Sequence, residues 1–129
     1  MSEAALKQSI RLSVGREPDV KLFNNPVGVG WVGKVIRRTK DTVTLAMPRQ
    51  ISYGLFKGSA DTVGYRTITV TPEMVGQRIA VFASIEVKYM KGTLSPEQET
   101  WLAVTRAGGC LTGVARSVAD ARTILRLPT

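Results

Sequence analysis

Ala80-Val81-Phe82-Ala83-Ser84-Ile85-Glu86-Val87-Lys88-Tyr89 is the stretch on which the fold turns. Its β-branched and aromatic residues favour a long strand over a helix. Alternation along that strand puts Glu86 and Lys88 on one face and Val81, Ala83, Ile85 and Val87 on the other. A carboxylate and an ammonium side by side at the end of an otherwise apolar strand call for a chemical reason. A hard divalent cation held by Glu86 and Asp61, with Lys88 orienting or activating a water, would supply one. That apparatus hydrolyses phosphodiesters.

Downstream, Lys91-Gly92 reads as a turn, and Ser95-Pro96-Glu97-Gln98 opens a helix that reaches Ala107 and stops at Gly108-Gly109. Leu111 to Ala115 reads as a short strand, and Ser117 caps a last helix to about Leu125. Upstream, Thr71 to Gly76 is one helical turn with a Thr cap, Pro at its first position and a terminating Gly. Thr62 to Val70 is a strand interrupted by Gly64, and Gly54 to Gly58 is a loop leading to Asp61. Thr42 to Met47 alternates, with Val43, Leu45 and Met47 inward. Gly28 to Ile36 is a bent or bulged strand. Val20 to Phe23 is a short apolar piece ahead of the turn Asn24-Asn25-Pro26. A first helix runs from an Ser2 cap to about Val14, with Leu6, Ile10 and Val14 on one face. Helices alternating with a mixed sheet define an α/β architecture, in the order α, several β, α, β, α.

At 129 residues the chain reads as a single domain over 1–129. The formal net charge of +8 predicts an anionic partner, most commonly nucleic acid. Residues 1–50 carry 9 basic and 4 acidic side chains and residues 51–129 carry 9 and 6, so the excess belongs to the folded body. No apolar run is long enough for a membrane span, and Met1-Ser2-Glu3-Ala4 lacks the basic start and apolar stretch of a signal peptide. The expected location is therefore cytoplasmic. The single Cys110 cannot form an internal disulfide and reads as a small buried residue. Histidine is absent, which removes Ser-His, Cys-His and His-dependent nuclease chemistry and Cys/His zinc sites. Any metal must take oxygen ligands, which points to Mg²⁺ or Mn²⁺.

Two motifs compete with this reading. Gly28-Val-Gly30-Trp-Val-Gly33-Lys34 satisfies both GxGxxG and GxxxxGK. A P-loop needs Ser or Thr after its Lys and a helix beyond; here Val35 and a β-branched continuation follow. The dinucleotide version needs an acid about 20 residues on, where Tyr53 and Gly54 stand. Asp19-Val20-Lys21 is a second acid-x-Lys, but only two apolar residues follow it before a turn. Each chosen residue also has a purely structural reading. Glu86 and Lys88 would form a same-face ion pair worth under about 1 kcal/mol. Asp61 would form a turn beside Gly58-Ser59, Gln98 would complete a capping box with Ser95, and Glu3 would favour a helix's first turn.

Taken together, these residues resemble those of a virus-type replication-repair nuclease (VRR-Nuc) domain of the PD-(D/E)xK nuclease superfamily. The resemblance covers nearly the whole chain. It includes Glu3 in the first helix, Asn24-Asn25-Pro26-Val27-Gly28, Gly58-Ser59-Ala60-Asp61, and Phe82-x-x-Ile85-Glu86-Val87-Lys88. Gly92-x-Leu94-Ser95-x-Glu97-Gln98, Gly108-Gly109 and Ala115-Arg116-Ser117-Val118-Ala119-Asp120-Ala121 complete it. The chain departs from the superfamily pattern in carrying Ala60 where Pro is expected. The resemblance implies a restriction-endonuclease-like core, a mixed β-sheet flanked by helices (α-β-β-β-α-β plus a C-terminal helix). It also implies metal-dependent DNA cleavage, in small phage and prophage members of a bacterial host associated with Holliday-junction resolution as homodimers.

On that resemblance Asp61, Glu86 and the Val87 carbonyl hold Mg²⁺ or Mn²⁺, and Glu3 completes the acidic cluster directly or through water. Lys88 positions the attacking water or stabilises the phosphorane, and Gln98 sits at a helix N-terminus that favours phosphate. Lys34, Arg37, Arg38, Arg49, Lys57, Lys91 and Arg116 are candidates for DNA backbone contacts, with an ordinary solvated charge as the alternative for each. A non-catalytic basic DNA-binding protein is the rival reading. A nucleotide-binding P-loop protein dependent on Lys34 ranks last.

Overall fold

A Ser, a Thr or a Pro just ahead of each periodic segment starts the helices where their capping chemistry requires. In the computed structural model, which describes residues 2–128, α1 spans Glu3–Val14, α2 Pro96–Ala107 and α3 Val118–Ile124. Ser2, Ser95 and Ser117 each accept a backbone N–H of the first turn. These hydroxyls satisfy donors that a helix cannot pair internally. A 3₁₀ turn at Pro72–Met74 stands where the single helical turn is predicted, and Gly76 beyond it has φ +88°.

Among the described residues six strands form: β1 Val20–Asn24, β2 Gly28–Arg38, β3 Val43–Tyr53, β4 Thr62–Arg66, β5 Ala83–Val87 and β6 Leu111–Ala115. The class is mixed α/β. Instead of one mixed sheet, the strands pair as three two-stranded ladders, β1 with β4, β2 with β3 and β5 with β6. The β2–β3 pair is antiparallel, and β5–β6 is parallel with Glu86 opposite Val114.

Several expected strands are shorter than their β-forming composition. The 80–89 run contributes only Ala83–Val87, because its partner β6 is five residues long and ladder bonds end with it. Likewise Thr62 to Val70 shortens to Thr62–Arg66 beside the five-residue β1, with Thr67 N–H bonded to the Asp19 carbonyl at the end. At the ends of the face assigned to them, Val81 and Val87 are 51% and 73% exposed. Only Ile85 on that face is half-buried. The ladder is covered on both sides: α2 reaches Ser84 and Glu86 on one face, and Ile124 of α3 lies against Gly113, the partner of Ile85, on the other.

Met47 is not inward either; it is 87% exposed with φ +48°. Between the pairs Val32↔Arg49 and Lys34↔Ala46, Gly33 faces two residues, Met47 and Pro48, and this bulge breaks the alternation. Val43 is exposed as well, leaving Leu45 half-buried.

The chain divides into two compact units. The first comprises residues 1–21 and 65–129 and contains the three helices and the β5–β6 ladder. Leu102 and Thr105 of α2 and Ala115 of β6 are its most buried side chains. The second unit, residues 22–64, contains the β2–β3 hairpin, the loop to Asp61 and the adjoining parts of β1 and β4.

Candidate active site

In the first unit, strand alternation brings Glu86 and Lys88 together as the sequence requires. Lys88 Nζ lies 3.4 Å from Glu86 Oε1, and the side chains are 20% and 30% exposed. Gln98 Nε2 donates to the same Oε1 at 2.9 Å. The other end of that amide is occupied: Gln98 Oε1 accepts the Ser95 N–H at 2.9 Å, while Ser95 Oγ accepts the Gln98 N–H at 3.1 Å. The capping box therefore aims the Gln98 amide at the strand. Both structural readings, ion pair and capping box, hold here. A single glutamine performs the cap and the orientation at once.

One turn along α2, Trp101 Nε1 donates to Ser84 Oγ at 3.0 Å, and Ser84 Oγ pairs with Thr112 Oγ1 at 2.8 Å. Ser84 and Glu86 are two apart on a strand, and Gln98 and Trp101 are three apart on a helix, so the two polar contacts stack in register. Sequence reading missed Ser84 and Trp101, although this matching of periods was available to it.

The ladder phase says which backbone groups around Glu86 are open. Phe82 C=O accepts from Leu111 N–H, and Lys88 N–H donates to Ala115 C=O. Even-numbered residues of β5 thus turn their peptide groups toward β6, and Val87 turns its own toward the other edge, which no strand covers among the described residues. The Val87 carbonyl and the Glu86 carboxylate are hard oxygen donors of the kind Mg²⁺ and Mn²⁺ require. They fit such an ion.

Arg116, a candidate for DNA contact, has a structural duty within its own unit. Its guanidinium donates to the carbonyls of Met90 at 2.6 Å and Gly92 at 2.8 Å, pinning the turn just after Lys88. Asp120 in turn accepts the Arg116 N–H at 2.8 Å. Lys91, in that turn, is exposed. Glu3 is exposed in the first turn of α1. Within either unit, and among the described residues, no three Asp, Glu or Cys side chains gather as a metal-ligand set.

Asp61 belongs to the second unit, exposed and directly ahead of β4. Its loop is organised by Asn25, which is 7% exposed. Asn25 Nδ2 donates to Ser59 Oγ and to the Ala60 carbonyl, both at 2.8 Å, and its Oδ1 accepts the Leu55 N–H at 3.0 Å. Its own N–H donates to the Asp61 carbonyl at 2.8 Å. Four bonds from one buried residue set the backbone at Asp61. Asn25 was visible only as part of a turn.

The competing motifs resolve by position. Gly28 to Gly33 lie inside β2, with no helix following, and the Tyr53 ring lies over Gly28 and Gly30 where a Cβ would collide or touch. These glycines serve hairpin packing. Asp19 and Lys21 line a cavity of about 320 Å³ with Tyr65, Thr67 and Gly108. Burial, and then the neighbouring Cys110 thiol, raise the Tyr65 phenol above its ordinary value. Lys34, Arg37, Arg38 and Arg49 lie exposed on the hairpin and Lys57 on the loop after it.

Compared with protein-family models, curated proteins and solved structures, the chain matches none. No helix among the described residues is long and apolar enough to cross a membrane.

Proposed function

We propose that this chain is a divalent-metal-dependent, structure-selective DNA endonuclease of the VRR-Nuc type, built on a restriction-endonuclease-like core. Its substrate is branched DNA such as a Holliday junction, cut by a homodimer in the cytoplasm of a bacterial host carrying the phage or prophage. The observation that supports the reading best is the convergence of Glu86, Lys88 and Gln98 beside an outward-facing Val87 carbonyl. An ordinary surface ion pair does not need a glutamine locked by a capping box to orient its carboxylate.

Glu86 and Val87 would hold Mg²⁺ or Mn²⁺, with Asp61 and Glu3 as the further ligands the resemblance implies. The bound ion supplies charge neutralisation at the scissile phosphate and a more acidic water. Lys88, tethered to Glu86, presents its ammonium to the attacking water or to charge developing on phosphorus. Gln98 keeps Glu86 from swinging between rotamers, and its helix N-terminus favours an adjacent phosphate. A homodimer answers a geometric need: one site cuts one strand, and symmetric resolution of a four-way junction needs two sites related by a two-fold axis.

Labelled duplex, flap and four-way-junction DNA, incubated with protein and EDTA, Mg²⁺ or Mn²⁺, test this directly. The expected result is cleavage of branched substrate with metal only, lost in Glu86→Ala and Lys88→Ala while fold and DNA binding survive. Undiminished cleavage by those variants would sink the site. The basic hairpin favours a second reading, a non-catalytic DNA-binding protein, which predicts salt-sensitive binding and no cleavage with either metal.

A further inference from the structure

The hairpin β2–β3 is charged in a way the catalytic reading does not require. Residues 28–53 contain Lys34, Arg37, Arg38, Lys40 and Arg49 against a single acid, Asp41, so 26 residues carry +4 of the chain's +8. Among the described residues, none of these five cationic side chains makes an ion pair or hydrogen bond. Every residue from 33 to 44 is exposed, on both faces of the ribbon.

The far end is nonetheless ordered. Thr39 N–H donates to the Thr42 carbonyl at 2.9 Å, the two hydroxyls meet at 2.6 Å, and Thr39 Oγ1 accepts the Thr42 N–H at 3.0 Å. Two register shifts, at Gly33 and Ile36, add local twist. A lone two-stranded ribbon is marginally stable in water, so an exposed, bulged and positively charged one calls for a use beyond its own folding. A second copy of this chain would set +4 against +4. A polyanion meets the same surface with complementary charge.

We propose that the β2–β3 hairpin is a duplex-binding arm that lies in the major groove of DNA, with Arg37, Arg38 and Lys40 at its tip and Lys34 and Arg49 along its sides. The major groove, about 12 Å wide, admits a two-stranded ribbon, whereas the minor groove of about 6 Å does not. The tip cations contact phosphates on either wall and reach base edges between them. From the nuclease reading this arm takes only the identity of its ligand as DNA; it stands or falls apart from catalysis.

The test measures binding of a labelled duplex by fluorescence anisotropy in EDTA over a range of salt. Arg37→Ala/Arg38→Ala/Lys40→Ala is expected to lose at least ~10-fold in affinity and to flatten the log–log salt slope by about 2–3. The charge-keeping Arg37→Lys/Arg38→Lys keeps the slope. Wild-type protein is expected to protect guanine N7, a major-groove atom, from methylation. Unchanged affinity and slope in the triple variant overturns the proposal, as does protection confined to the minor groove. A triple variant that loses self-association with affinity intact assigns the ribbon to a second copy and also overturns it. Wild-type binding without cleavage in Mg²⁺ or Mn²⁺ removes the nuclease and leaves the arm.

Discussion

The two units show two ways of fixing the surroundings of a carboxylate, one through its side chain and one through the backbone. In the first, the side chain itself is gripped: Gln98 and Lys88 both engage one oxygen of Glu86. In the second, Asn25 fixes the backbone path around Asp61 and bonds to its carbonyl. Direct contacts restrict a rotamer to one well, while a buried amide restricts a loop to one path. Single substitutions should therefore fail differently in the two places.

The largest effect is expected at Asn25. Asn25→Ala removes three side-chain bonds in a buried position and leaves the Leu55 N–H and the Ala60 carbonyl without partners. It should cost about 2–4 kcal/mol, read as a lower urea midpoint. Amide exchange should quicken in residues 54–61 and stay unchanged in α2. Uniform loss of protection across both units would break the contrast between them.

Gln98→Glu is next. Glutamate still accepts the Ser95 N–H, so the cap persists, but it sets a second carboxylate against Glu86. If the proposed nuclease function holds, cleavage should fall about 10- to 100-fold with little change in melting temperature. A large fall in melting temperature with activity intact would show that Gln98 acts only as a cap.

Arg116→Ala should cost about 1 kcal/mol, because two charge-assisted bonds are lost at an exposed site. The turn after Lys88 should loosen, seen as faster exchange at Gly92. Charge retained by Arg116→Lys cannot restore the paired geometry. If the lysine variant behaves as wild type, only charge matters there.

The smallest effect concerns Tyr65. Its phenol titrates higher in the folded chain than unfolded, so the folded state keeps its proton longer. The associated stability is fully present below the ordinary value near 10 and is lost as pH rises through the raised one. Tyr65→Phe should make the alkaline loss of stability above about pH 10 less steep. An unchanged slope would discount burial as its cause.

Local chemistry made much of this legible. Ser2, Ser95 and Ser117 marked three helix starts correctly because capping needs only neighbours three residues apart. The parity of Glu86 and Lys88 survived because alternation is a property of the strand alone. Strand length did not survive: Ala80–Tyr89 has the composition for ten residues, yet β6 offers a ladder for five. Met47 failed for a related reason, since a bulge is decided by the pairing of two strands and flips every later side chain.

By its residues alone, then, the chain determined an α/β composition, its helix caps, a cationic surplus, the absence of imidazole chemistry and the pairing of Glu86 with Lys88. Tertiary structure decided which helix lies on each face of the β5–β6 ladder, that Gln98 reaches Glu86, that Arg116 braces a turn, and that Asn25 shapes the loop at Asp61. The division follows range. Caps and alternation depend on torsions within a few residues, whereas a buried amide 34 residues from its serine partner is a consequence of the completed fold.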